Sequence, residues 1–468
     1  MLSDISRWVE STQGAVMLLS GAALLAWWTV PRKPDALPRT LVLFTGAFTF
    51  GSLLSGTIGL ALQAVALICG FTAWIATPVA ERRGGSVVKA CALLIGFWTL
   101  LMFHPNVPDF NPGLLGFRKT ALAFGGIVLG CAIARRHIRR MERLVIGMVT
   151  FALAISLFGY FYLPEIAELV PRAADQYTSN FRGTERLQGV FSGPFHVAGA
   201  GLLVLGWAAV RRRQHPVFAL IVGVVGSIAV YYTYVRSAYV AIVLLVIVLV
   251  ISSATPVRRL QGVYFVCIAS LVGYIVLSRS ADNRFASTIL SISDASEDGR
   301  FQNRFPEWRE GLRLIGESPI FGWGAGSAGD TLGRAFRAGE HVTPHNIALK
   351  FSVEGGLIGV LLVIAVIAAV RKSVVWTNPQ GQLAAISAVG LIGMGLTGSA
   401  IDTPPISYLA LVLVGLAVGS TPDAGDTTVA VSETDSSTPP EIVSPRRRTT
   451  ADTRRAPGSR PAQPAARR

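Results

Sequence analysis

The chain has 468 residues, of which 51% are hydrophobic and only 15% charged, and its mean hydropathy is +0.51. Its apolar residues lie in long blocks, which excludes a soluble globular protein and indicates an integral membrane protein. The net charge of +15 and pI near 10.2 do not point to nucleic acid, because the basic residues cluster at the ends of the apolar blocks.

Runs such as YVAIVLLVIVLVISS lack the in/out alternation of a barrel strand, so the spanning elements are expected to be helices. In chain order they are expected over 14–30, 41–54, 57–79, 87–103, 120–134, 144–162, 191–210, 217–232, 237–253, 262–277, 345–370, 383–397 and 406–419. That makes an all-α polytopic membrane protein of thirteen helices, or twelve if the uncharged block 41–80 holds a single long one. The expected organisation is an N-terminal bundle over 1–277, a large external loop over 278–344, further membrane helices over 345–420 and a tail over 421–468.

The basic clusters PRKPDALPR, ERRGG, RRHIRRMER, RRRQH, PVRRL and Arg371-Lys372 fall at every second connection. The positive-inside rule makes those connections cytoplasmic and places the long segments 163–189 and 278–344 outside the cytoplasmic membrane. The opening MLSDISRWVE lacks a basic leader, so the first apolar block is expected to be retained as a helix. The tail has no aromatic residue and balances eight arginines against six acidic residues, a composition expected to be disordered in the cytoplasm. Cys69, Cys91, Cys131 and Cys267 stand singly among apolar neighbours, as packing thiols do.

Charges at the ends of membrane helices are costly unless paired or hydrated, which singles out four outward positions. Arg186 precedes a helix that opens Gly-Pro-Phe-His. Arg236 is the sole charge between two helices with almost no loop; it either snorkels to head groups, as the nearby Tyr231, Tyr232 and Tyr234 suggest, or points into a cavity. Arg304 lies just ahead of an amphipathic stretch, FQNRFPEWREGLRLIGESP, whose Phe305, Trp308, Leu312 and Ile315 recur at spacings of three and four. That surface helix either grips a lipid head group or merely caps the bundle, with Arg304 paired to Glu307 or Asp298.

The fourth position is HVTPHNIALKFSVEGGLIG, where Pro344 places His345 and Asn346 in the first turn of a helix. His345 is suited to accept a proton, or else serves as a helix cap. Asn346, Lys350 and Glu354 fall four apart on one stripe, so Lys350 and Glu354 are expected to neutralise each other. There is no phosphate-binding loop, HExxH, CxxC or GxSxG pattern, and FGWGAGSAG is expected to be a tight loop.

In this order these stretches resemble the O-antigen ligase and polymerase superfamily of bacterial membrane glycosyltransferases. The resemblance rests on Arg186 with Gly189, Val235-Arg236-Ser237, Arg304 with Trp308, Pro319-Ile-Phe-Gly322-Trp-Gly324, His345-Asn346 and Glu354-Gly355-Gly356-Leu-Ile-Gly359, and it covers roughly residues 140–420. Val235 replaces the usual serine, and Lys350 is an added charge. The resemblance implies transfer of a glycan from a polyprenyl pyrophosphate, such as undecaprenyl pyrophosphate, to an acceptor hydroxyl, with no cofactor, metal or nucleotide sugar. The acceptor is a lipid, a growing polysaccharide or a protein. Arg186, Arg236 and Arg304 are then expected to stabilise the pyrophosphate, His345 to deprotonate the acceptor and Asn346 to orient it, with Trp308 and Glu354 in the substrate site. The alternative is a transporter or flippase of a lipid-linked or anionic solute, which needs polar groups and broken helices near the bilayer midplane.

Overall fold

The computed structural model describes residues 45–46, 56–133, 135–164, 180–181, 184–252, 257, 260, 263–264, 302, 304–329, 335–337, 339–396, 398 and 404–420. The helices expected over 14–30, 41–54 and 262–277, Asp298, Cys267 and the tail lie wholly or almost wholly outside these residues.

Twelve α-helices occur among the described residues. They are α1 Gly56–Ala76, α2 Gly85–Leu101, α3 Phe110–Thr120, α4 Gly125–Ala132, α5 Ile138–Tyr162, α6 Pro194–Arg211, α7 Pro216–Thr233, α8 Arg236–Ile251, α9 Arg304–Glu317, α10 Ile347–Ser373, α11 Pro379–Gly395 and α12 Pro404–Ser420. A two-residue antiparallel pair, β1 Asn180–Phe181 with β2 Thr184–Glu185, is the sole sheet among them. Four helices are long and apolar enough to cross a membrane, five if the bent pair α3–α4 is one span, and α2, α8 and parts of α1 and α12 are shorter apolar helices. The protein is thus a multi-pass, all-α membrane protein.

Small residues let these helices approach closely where side-chain hydrophobicity alone would not hold them together in lipid. A Cβ on Gly130 would lie 2.5 Å from the Val412 carbonyl oxygen, and one on Gly415 would lie 2.2 Å from that of Ile127, so α4 and α12 meet backbone to backbone. Trp98, Trp207 and Tyr408 fill the core around them. At the far end of α6, Glu142 accepts from Trp207 Nε1 (2.7 Å), Arg211 Nε (2.7 Å) and Arg211 Nη2 (2.6 Å), a fully buried ion pair. Its two carboxylate oxygens are matched by three donors, which offsets much of the cost of burying the charge.

Two helices depart from the expected boundaries in ways that bear on function. The helix expected to begin at Thr120 begins at Phe110, is interrupted after Thr120 and turns by 41° into the following segment. Arg118 and Lys119, expected in a connection, therefore lie inside a helix. The second departure is in α10, where Gly356 has φ 57° and ψ −154°, a conformation open only to glycine. The break strands backbone groups on both sides, and the Pro319–Gly324 strap satisfies them. Trp323 N donates to Val353 O (2.8 Å), Gly324 N to Glu354 O (3.1 Å), Leu357 N to Pro319 O (2.8 Å) and Ile358 N to Ile320 O (3.2 Å). The glycine-rich stretch is thus a loop, as expected, but one woven into a membrane helix; a Cβ on Gly322 would lie 2.6 Å from the Glu354 backbone. Broken helices persist in lipid only where protein re-satisfies the freed groups.

Candidate functional site

The starts of α6, α8 and α10 and the ends of α5, α7 and α11 gather at one end of the bundle, where the expected site residues lie. Segment 185–190 is laid over the end of α5: Tyr160 Oη donates to Glu185 O (3.0 Å) and Val190 N to Ser156 Oγ (3.1 Å). Gly189 takes φ 56° there, and a Cβ on it would lie 2.1 Å from that of Ser156. This fixes Arg186, which is buried, with Nε donating to Thr233 O (2.7 Å) and its guanidinium 5.7 Å from the Phe195 ring centre. Leu187 N donates to Tyr232 O (3.0 Å), tying the same segment to the α7–α8 turn. Arg236, half-buried, opens α8 after only two residues, Tyr234 and Val235. Arg186 and Arg236 are therefore brought to one corner.

The second corner is made by α9 and the entry to α10. Trp308 Nε1 donates to Pro344 O (2.6 Å), and Glu307 Oε2 accepts from Thr343 N (3.0 Å). These bonds clamp the residues immediately before His345, and Arg304 stands one turn back along α9. Glu307 thus holds the Thr343 backbone. The apolar face of α9 differs from the expected one: Gly311 and Leu314 are buried, while Phe305 and Leu312 are 45% and 61% exposed. Trp308 and Ile315 flank the buried strip and Phe305 and Leu312 lie on the other side, so the apolar stripe is wider than its contact with the bundle.

His345 is not in the first turn of α10 but precedes the cap, half-buried, at φ 46°. Asn346 is the cap: its Oδ1 accepts from Ala348 N (2.9 Å) and Leu349 N (3.1 Å), and its Nδ2 donates to Leu396 O (3.2 Å). Both ends of the Asn346 amide are thereby used in aiming its neighbour. Among the described residues, Tyr234 and His345 are the non-glycine residues with positive φ, and they adjoin the two corners. Such conformations survive where the surroundings over-determine them, commonly at functional sites. The end of α11 joins the corners, because Leu396 accepts from Asn346 and a Cβ on Gly398 would lie 3.2 Å from the Phe195 ring beneath Arg186.

Glu354 is fully enclosed. Its Oε2 accepts from Trp98 Nε1 (2.9 Å) and Thr120 Oγ1 (2.8 Å), and Lys350 Nζ lies 3.1 Å from Oε1 while donating to Ala328 O (2.7 Å). The Lys350–Glu354 pair expected from their spacing is present. Its enclosure makes Glu354 a fastener between α10, α2 and α3, with no surface turned to a substrate. His196, from the Gly-Pro-Phe-His opening, is in the first turn of α6, and Arg118 and Lys119 lie in the last turn of α3.

Residues 221–364 match the family model described as O-antigen ligase. The matched segment begins within α7 and ends within α10, so it holds Arg236, Arg304, Trp308, His345, Asn346 and Glu354, while Arg186 lies upstream of it. No curated protein matches the chain. The match supports a role in membrane glycan biosynthesis of the O-antigen ligase kind, with a lipid-linked glycan as donor.

Proposed function

We propose that the protein transfers or polymerises a glycan from a polyprenyl-pyrophosphate carrier onto an acceptor hydroxyl at the outer face of the cytoplasmic membrane. The observation that carries the reading is that Arg236, which opens α8, and Arg304 and His345, ahead of α10, all fall in the segment that matches the ligase family and lie at the same end of the bundle, where Asn346 bonds the end of α11. In this reading His345 takes the proton of the acceptor hydroxyl as its oxygen bonds to the anomeric carbon. The bond from that carbon to the phosphate oxygen breaks, and its electron pair leaves with the pyrophosphate. Arg186, Arg236 and Arg304 stabilise the charge that develops there, aided by the positive ends of α6 and α8. Asn346, Trp308 and the Lys350–Glu354 pair position the base and take no part in bond-making. In this reading the chain's own residues supply a cationic cradle and a base. The outward orientation of this face is supported by Arg82, Arg83, Arg135, Arg136, Arg139, Arg140, Arg212, Arg213, Arg371 and Lys372, all at the opposite helix ends.

The breaks in α3–α4 and α10 favour a second reading, movement of a lipid-linked or anionic solute, because transporters use discontinuous helices. One experiment separates the two. Wild type and His345→Asn are placed in liposomes with a polyprenyl-pyrophosphate glycan fraction from native membranes. Asparagine tolerates positive φ but is not a base. Glycan moved to a new acceptor by wild type and not by the variant supports transfer; glycan that stays on its carrier and changes leaflet with both proteins overturns it.

A further inference from the structure

The part of α9 that does not meet the bundle has an ordered surface. Leu314 packs with Ala328, Val342 and Val353, and Trp323 Nε1 donates to Leu314 O (2.7 Å), so one strip of the helix is fixed against protein. At about 3.6 residues per turn, the other residues fall in successive strips around the helix. Trp308, Phe305 and Leu312 come next to the bundle strip, with the Phe305 and Trp308 ring centres 5.5 Å apart. Arg309 and Arg313 follow, and Glu310 and Glu317 come last, on the far side from Trp308. Arg313 is bonded to both of those glutamates.

The apolar strip does not end with the helix. Ile320 and Phe321 of the strap are more than half exposed. The strap lies against the second half of α10, with Leu357 N donating to Pro319 O (2.8 Å) and Ile358 N to Ile320 O (3.2 Å). From that point Leu357, Leu361, Ile364 and Ile367, also more than half exposed, run down α10 at spacings of four, three and three. Because α10 is long and apolar enough to span the membrane, this stripe faces hydrocarbon. The C-terminal end of α9 is thus joined to a lipid-facing surface.

We propose that α9 and the strap are seated in the outer leaflet of the bilayer, with α9 lying along the head-group region and Phe305, Leu312, Ile320 and Phe321 turned toward the hydrocarbon. The side of the membrane is that of the glycosyl-transfer reading, whereas the seating itself rests on the strips. With Phe305 and Leu312 down, Arg309 and Arg313 stand at the level of the lipid phosphates, to which long basic side chains extend their charge. Glu310 and Glu317 are then turned to water. A protein partner would require no such gradation from apolar through basic to acidic. Arg304 adjoins Phe305 at the start of the helix, so the seating sets it near the depth of the lipid phosphates. On the glycosyl-transfer reading that is also the depth of the donor's pyrophosphate, whose hydrocarbon tail stays in the bilayer.

The test places nitroxide labels on the full chain in nanodiscs of phosphatidylcholine and phosphatidylglycerol, at Leu312→Cys, Phe321→Cys and Glu310→Cys, with the signal of labelled wild type subtracted. Collisions with oxygen, which concentrates in lipid, are compared with collisions with a water-soluble nickel chelate. The Leu312→Cys and Phe321→Cys labels are expected about 5–10 Å below the phosphate plane, and the Glu310→Cys label on the water side. Labels on two separate elements keep the test decisive if one variant fails to fold. Nickel that reaches both apolar positions as freely as the Glu310→Cys label overturns the seating. Protection of both from oxygen and nickel alike means that protein covers the strip, a second copy or another chain, and overturns it equally. Seated labels in a protein that transfers no glycan uphold the seating and overturn its consequence for the donor. Unseated labels in a protein that does transfer glycan overturn the seating alone.

Discussion

Replacing Gly356 by alanine tests whether the break in α10 is held by the strap. At φ 57° and ψ −154° an alanine backbone is strained by about 1–3 kcal/mol. Its Cβ would lie 2.4 Å from Ile320 O and 2.7 Å from Gly322 N, so the strap must retreat. Retreat loosens the bonds from Leu357 N and Ile358 N, which contribute about 1 kcal/mol each. The combined loss is roughly 3–5 kcal/mol, enough to favour a straightened α10 with the strap expelled. Thermal unfolding followed by tryptophan fluorescence, and chymotryptic cleavage at Phe321 or Trp323, report the two halves of that outcome. Gly316→Ala is the control: a Cβ there meets nothing within 4 Å, and the change is expected to be neutral or stabilising by up to about 1 kcal/mol. A Gly356→Ala protein with wild-type melting and a protease-resistant strap would refute the account of the break.

Further outcomes follow from the same contacts. Lys350→Met leaves the enclosed Glu354 without its cation and is expected to cost about 3–5 kcal/mol, with Glu354→Gln recovering much of it in a double-mutant cycle. Arg211→Met should be as damaging for the same reason, and Glu142→Leu added to it should restore melting and, with it, the activity of a site at the opposite helix ends. His345→Asn is expected to lower transfer by about 100-fold or more while leaving expression and melting unchanged; an active variant removes the histidine as base. On α9, hydrogen bonding from Arg313 holds the Glu310 carboxyl below its ordinary range, and Arg313 also meets Glu317. The contribution of Glu310 is thus complete above the range of a free glutamate and fades as pH falls through its lower folded value. Amide exchange in α9, corrected for its intrinsic pH dependence, should be constant near neutrality and accelerate only below about pH 4.

Much of the helical layout was legible because apolar blocks and basic ends are direct consequences of the bilayer. The ranges 87–103, 217–232 and 237–253 agree with α2, α7 and α8 within two residues. The Lys350–Glu354 pair was legible from helical spacing alone. The start of α3 was not: Asn, Pro, Gly and an Arg-Lys pair hide a helix whose buried face is made of Pro112, Gly113, Gly116 and Thr120 in place of a large apolar stripe. The break at Gly356 was equally hidden, because Glu-Gly-Gly-Leu-Ile-Gly reads as ordinary small-residue packing until the strap's backbone is placed beside it. Asn346 illustrates the third kind of loss. A polar residue beside a candidate base suggests chemistry, whereas its amide is consumed by two cap bonds and one bond to α11.

The interruption of α10 also sets how the protein meets bilayers of different thickness. Its 27 residues measure about 40 Å if straight, well beyond a hydrocarbon core of about 30 Å. The part after the break, 357–373, measures about 25 Å and nearly spans the core by itself. The nine residues from Ile347 to Gly355 are anchored to protein through Trp98, Thr120 and the strap, so their height is measured from the bundle and not from the lipid. Thinning or thickening the membrane would then tilt the lower rod while His345 keeps its distance from Arg304 and Arg186, and sensitivity to lipid chain length should appear in the protein's tilt and sorting before it appears in turnover.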